Sequence, residues 1–206
     1  MADLPAKLRD AAQRREWNEC WETVEIALAR LSISQILALA HRQVQRRLSL
    51  FERHHPDIHW PREWLDALGS GTSTVLDEAA PEVLQDAPGP GGNNFATAVQ
   101  ALARASKAAT STKCAAYAAR AIRGAIMAEE VECAGSEAPE LWRRWYENEL
   151  RINAAAEKGE ESDAEPNPFP FYKIMKTPKV AAVELAAWNA LADELETFAE
   201  IRRADS

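Results

Sequence analysis

The chain has 206 residues, of which 47% are hydrophobic and 27% charged, so it can bury a substantial core and is not disordered as a whole. Its net charge of −8 disfavours a nucleic-acid-binding surface, because neutralisation of phosphates supplies most of that affinity. Charged first residues, and no apolar run near the roughly 20 residues that span a bilayer, predict a cytoplasmic protein outside the membrane. The widely spaced Cys20, Cys114 and Cys133 are predicted to be reduced and mostly buried.

Apolar residues at helical spacing predict two helices in the first quarter of the chain. The first helix spans about residues 4–31, with Trp17 and Trp21 on its apolar stripe. The second follows a cap at Ser34 and ends just before Pro56, which disfavours helical geometry in the residue before it.

Proline and glycine mark the next elements. Pro61 opens a short helix that Gly71 closes, and another helix is predicted to start near Ser73. The segment APGPGGNN, residues 87–94, favours neither helix nor strand. It is predicted to be a loop or the boundary between two subdomains.

The second half of the chain is rich in alanine, the residue with the highest helix propensity. We expect two packed helices over residues 95–130, broken near 110–112, and then a helix capped by Ser136 with Pro139 in its first turn. An exposed acidic loop is predicted over residues 157–168.

The last helix is predicted to open at Thr177 and Pro178. Period-two alternation with β-branched residues is missing from the sequence, so no significant sheet is expected. The predicted fold is all-α, a compact bundle of about six to eight helices that forms a single domain over residues 1–206.

The four histidines fall close together in the sequence and are the best candidates for a metal site or an acid–base site. Pro56 interrupts the helix that would place two of them one turn apart, so the spacing used by zinc-binding helices is not available. A histidine at a helix C-terminus is also favoured by the helix dipole alone. The hypothesis of a metal-dependent enzyme would use His41, His54, His55 and His59.

The acidic residues concentrate between positions 129 and 165, where twelve acids face four bases. Such a segment favours a basic partner through electrostatic steering, although a solvated helix end would look the same. Tryptophans beside it would form a binding hot spot if exposed, or part of the core if buried. The candidate partner-binding residues are Glu140, Trp142, Trp145, Glu147, Glu149, Glu160, Glu161 and Asp163.

The segment LSLFERHHPDIHWPREWLDAL, residues 48–68, combines a Leu-Phe-Glu helix end, a Pro-Asp turn and a Pro-Arg helix start. With the alanine-rich helices after it, residues 36–128 resemble a family of immunity proteins from bacterial polymorphic toxin systems. The resemblance implies an all-helical binder without enzymatic activity or cofactor. Turn chemistry also explains these residues, with an aspartate cap, a proline first turn and an arginine paired to a nearby acid. The matching positions are Phe51, Glu52, Pro56, Asp57, Pro61 and Arg62.

Three functions are therefore compatible with the sequence. The leading hypothesis is an immunity protein that binds a cognate toxin, such as a basic nuclease, and occludes its active site. The second is a metal-dependent helical-bundle enzyme that uses the histidines, although no nucleophile motif or phosphate-binding loop is found. The third is a scaffold or adaptor that forms a homo-oligomer through its alanine-rich helices.

Overall fold

The part of the chain that the structure describes folds into α-helices. The computed structural model describes residues 3–71, 89–159 and 175–204, and no strand occurs in these ranges. The prediction of an all-α fold is confirmed. The helices are α1 (Asp3–Arg14), α2 (Trp17–Leu28), α3 (Ile33–Gln45), α4 (Leu48–His54), α5 (Trp60–Ser70), α6 (Gly92–Ser106), α7 (Ser111–Glu137), α8 (Pro139–Lys158) and α9 (Pro178–Ala204).

Helix α7 lies at the centre of the bundle and packs against α2, α3, α6, α8 and α9. Its alanines make this possible, because small side chains let neighbouring helix backbones approach closely. Ala118, Ala121 and Ala125 are fully buried along the helix. A Cβ atom at Gly124 would lie 3.0 Å from the backbone oxygen of Asn94, so the α6 and α7 backbones nearly touch there.

The break between α6 and α7 falls where the sequence predicts it. Helix α6 ends at Ser106, and the side chain of Thr110 caps α7 by accepting a hydrogen bond from the backbone N–H of Lys113 at 3.3 Å. The start of α9 is also confirmed, since the Thr177 hydroxyl accepts a bond from the N–H of Val180.

The first two predicted helices are each divided in the structure. Arg15 adopts a left-handed conformation with φ of 59°, which ends α1 and starts α2 two residues later. The cap of α3 is Ser32 rather than Ser34, because Ser32 and Gln35 exchange the two hydrogen bonds of a capping box. Helix α3 then stops at Gln45, and α4 continues to the end predicted before Pro56.

The tryptophans of α2 pack as the sequence predicts. Trp17 stacks on Trp188 of α9 with 6.5 Å between ring centroids, and Trp21 meets the same ring edge-on at 4.4 Å. The main core also joins both sides of the predicted boundary, since Phe51 and Phe95 stack at 5.1 Å. The cysteines at positions 20, 114 and 133 are buried and unbonded, as predicted.

The remaining boundaries differ from the prediction or lie outside the described residues. Ser136 is not a cap, because α7 continues to Glu137 and Pro139 opens α8 directly. The helix predicted near Ser73 and most of the acidic loop over residues 157–168 lie outside the described ranges. None of the helices in those ranges combines the length and apolar composition needed to cross a bilayer.

Residues 89–91 turn the chain into α6, which begins at Gly92, inside the segment predicted to be a loop. Gly91 has φ of 79°, and a Cβ atom there would lie 2.2 Å from the carbonyl oxygen of Ala128. Only glycine fits at this position, because both the backbone conformation and the contact with α7 exclude a side chain.

We predict that Gly91→Ala destabilises the protein by about 3 kcal/mol or more, because it adds a collision with the α7 backbone to the strain of a positive φ. Gly71→Ala is the matched control. Gly71 has φ of 73° and no atom within 4 Å of its Cβ position, so its loss should be about 1 kcal/mol. Equal losses in urea denaturation would contradict the close contact at Gly91.

Candidate functional site

The four histidines do not converge on one point. His41 is half-buried on α3, and its Nε2 donates a hydrogen bond to the carbonyl of Leu65 at 2.8 Å. His59 is exposed at the N-terminus of α5, where its side chain makes no capping bond. In the described ranges, no three His, Cys, Asp or Glu side chains are placed to hold a metal ion.

His54 and His55 end α4 in different surroundings. His54 Nε2 lies 3.5 Å from Glu132 Oε1 on α7, an oxygen that also accepts a bond from Arg53 at 3.1 Å. His55 is 5% exposed and packs on Phe51 with 4.7 Å between ring centroids. Burial lowers the pKa of His55, and the neighbouring His54 lowers it further, so the buried ring stays neutral.

The acidic end of α7 is largely paired with bases from other helices. The carboxylate of Glu129 accepts hydrogen bonds from two nitrogens of Arg47, at 2.9 and 2.8 Å. Glu137 binds Lys179 of α9. Together with the contact between Glu132 and Arg53, these pairs offset the excess of acids there. The concentration of negative charge in the sequence therefore does not give this part of α7 an acidic surface.

The partner of Glu129 belongs to a buried polar network between α3, α7 and α9. The guanidinium of Arg47 is buried and donates to the backbone and side-chain oxygens of Gln43 at 2.8 and 3.1 Å. The amide of Gln43 in turn donates to Glu194 at 2.9 Å. Glu194 also pairs with Arg46 at 2.6 Å, so the network reaches the surface.

Glu130 is the one acid of this region that is held inside the bundle, at 9% exposure. Burial raises its pKa to about 8, and the nearby carboxylate of Glu184 on α9 contributes in the same direction. Burial also raises the pKa of Glu184 to about 7. Arg47 and Arg123 act against the shift of Glu130 without cancelling it. Glu130 on α7 and Glu184 on α9 thus both have pKa values raised into the neutral range or above it.

Sequence reasoning missed these buried polar groups, although their positions carry a signal. Arg47 continues the buried stripe of Ile36 and Val44 on α3 at helical spacing, and Glu130 continues that of Ile126 on α7. A charged residue on a core stripe indicates a buried partner.

Helix α8 carries the described members of the predicted partner surface. Trp142 and Trp145 are half-buried with 5.0 Å between ring centroids, and Trp142 faces Gly135 of α7. Glu140 and Glu147 are exposed, whereas Glu149 is half-buried. The two tryptophans are thus partly covered by the protein, whereas Glu140 and Glu147 point to solvent. The other predicted members, Glu160, Glu161 and Asp163, lie outside the described residues.

The family-motif residues lie in the last turns of α4, in the connection after it and in the first turn of α5. Arg62 binds Glu52 through two hydrogen bonds of 2.6 Å, as expected, and Pro61 is buried in the first turn of α5. The expectation that Asp57 caps the helix is wrong. Asp57 is exposed beside Pro56, and α5 begins only at Trp60.

Comparisons of the chain with models of protein families, with curated proteins and with solved structures found no match. The resemblance of residues 36–128 to immunity proteins therefore stays a prediction.

The buried acids predict a pH-dependent stability. Since the pKa of folded Glu130 is raised from 4.5 to about 8, the folded state binds more protons than the unfolded state between these values, and stability falls as pH rises through them. Glu130→Gln keeps the shape and removes the ionisation, so its unfolding free energy should exceed that of the wild type increasingly from about pH 5 to about pH 8.

Chemical denaturation across this pH range tests the prediction, with Glu22→Gln as the control for loss of an exposed acid. A difference between Glu130→Gln and wild type that stays constant with pH would refute it.

Proposed function

We propose that the protein is an immunity protein that binds a cognate toxin and blocks the toxin's active site. The observation that carries the proposal is the outer face of α8, where Leu150 is 42% exposed. It is one of three large hydrophobic residues exposed in the described ranges, the others being Ile26 and Ile33. An exposed leucine costs free energy in water, and a bound partner would recover it.

Charged residues surround this leucine. Arg143 and Glu147 precede Leu150 by seven and three positions, so the three side chains share one face of the helix, and all three are exposed. Glu140 extends the face by one turn and pairs with Arg143 at 2.7 Å. An apolar centre with a charged rim is the arrangement found at protein-binding hot spots.

The position of α8 suits inhibition by occlusion. Its principal contact with another described helix is with α7, near Trp142, and Arg143, Glu147 and Leu150 on its outer face are exposed. At 1.5 Å per residue, a helix of 20 residues is about 30 Å long, enough to cover an active-site cleft. Binding to a preformed helix also avoids the entropy cost of ordering a loop.

The distribution of charge indicates which acids would steer a basic toxin towards the protein. Helix α8 carries both acids and bases, and Glu129 and Glu137 of α7 are paired within the bundle. Steering is therefore assigned to Glu160, Glu161 and Asp163, which follow α8 in the sequence without a base among them. The leucine face would supply contact area, and the acids would raise the association rate.

The proposal predicts that co-expression with the product of the adjacent toxin gene restores growth and yields a stable complex. Leu150→Arg should abolish both rescue and co-purification, because it places a charge at the centre of the interface. Ile33→Arg is the matched control, since Ile33 is 41% exposed at the start of α3. Loss of binding in both variants, or in neither, would argue against the α8 face.

A second prediction separates steering from contact. Replacing Glu160, Glu161 and Asp163 together by lysine should slow association about tenfold or more in low salt and much less in high salt. The control replaces the exposed acids at positions 22, 63 and 66 by lysine, which changes the net charge equally. Stopped-flow rates that respond identically in both triple variants would show that overall charge, rather than this segment, governs association.

A further inference from the structure

A groove of about 440 Å³ lies between α2 and the first half of α7. It is remote from the α8 face, because α8 meets α7 at the other end, around Ala134. The groove runs along α7 from Ser111 to Arg123, a distance of about 18 Å at 1.5 Å per residue. Its volume lies in the range typical of small-molecule sites, roughly 300 to 1,000 Å³.

The floor and one wall of the groove are apolar. Ala115, Ala116 and Ala119 form the floor on α7, and Ala116 is exposed to solvent. The indole of Trp21 on α2 forms the wall. The same indole also packs edge-on against the buried ring of Trp188. A flat, small-residue floor beside an aromatic ring suits an elongated apolar group.

Two arginine side chains lie at one end of this apolar surface. The guanidinium of Arg123 lies 5.6 Å from the centroid of Trp21, and that of Arg120 lies 5.7 Å from the centroid of Tyr117. Neither arginine forms an ion pair with an acid of the described residues. The aromatic rings thus hold both guanidinium groups one helical turn apart while their N–H donors stay available for an anion.

Nearby acids do not neutralise this pair. Glu25 is the single acid among the residues that line the groove, and it is exposed on the opposite helix. Glu130 interacts with Arg123, but burial raises its pKa to about 8, so its carboxyl is mostly protonated at neutral pH. The arginine end of the groove therefore keeps a net positive charge in a protein whose net charge is −8.

We propose that this groove binds an amphiphilic organic anion, with its acidic head between Arg120 and Arg123 and its apolar body on the alanine floor beside Trp21. A neutral apolar molecule would use neither guanidinium group, both of which are exposed and would stay bonded to water. An inorganic anion would leave the apolar floor uncovered. The inference is independent of toxin binding, since it uses no residue of α8.

Isothermal titration with decanoate, with decanol as the uncharged analogue, tests the proposal on the full chain. We expect one decanoate per chain and weaker binding of decanol. The double variant Arg120→Gln and Arg123→Gln should lose about tenfold or more in affinity for decanoate, as expected when charge-assisted hydrogen bonds are removed. Arg104→Gln, an exposed arginine on α6, is the control and should bind as the wild type does.

Ala116→Trp gives a second, independent test. The exposed alanine tolerates a larger side chain without disturbing the core, and the indole should fill the groove and abolish binding while the arginines remain. Absence of decanoate binding at millimolar concentration, equal binding of decanol, or unchanged affinity in both variants would each overturn the proposal. Far-ultraviolet circular dichroism verifies that each variant is folded.

Discussion

The structure depends on the close packing of helices around the alanine-rich α7. Small side chains at Ala118, Ala121 and Ala125 allow α6 to lie almost backbone to backbone with α7, and Gly91 completes the contact at the start of α6. Dispersion and apolar burial act over the full length of such an interface. Because the other described helices except α1 pack on this pair, a single added methyl group at Gly91 would disturb more of the bundle than one at an exposed turn.

The framework buries charged groups of two kinds, one paired and one not. Arg47 and Glu129 are joined by short hydrogen bonds, and a buried charge with a good partner costs far less than one without. Glu130 has no such base at bonding distance in the described residues, and the protein keeps it protonated instead. Helix α7 thus shows two ways in which a protein can lower the free-energy cost of burying an acid. Glu129 is paired with a base, and Glu130 retains its proton.

The distribution of charge along the sequence does not predict which charges of this protein are left unpaired at its surface. Three acids of α7 pair with Arg47, Arg53 and Lys179, so tertiary contacts offset this part of the acidic surplus of the sequence. Arg120 and Arg123, which are unremarkable in the sequence, stand without an acidic partner in the described part of the chain. The proposed roles of α8 and of the groove between α2 and α7 follow from side chains that the tertiary structure leaves exposed.

Local signals in the sequence were enough for the helical class, for a break near residues 110–112 and for the helix start at Thr177, and they indicated a nearby acid as the partner of Arg62. These features depend on helix propensity, caps and neighbours only a few residues away. The histidines are close together in the sequence, but their rings do not form one cluster in the structure. The helix or turn that carries each ring places it beside different partners. The electrostatic effect of Glu184 on Glu130 was decided by the tertiary structure alone, since the distance between two side chains on different helices depends on how those helices pack.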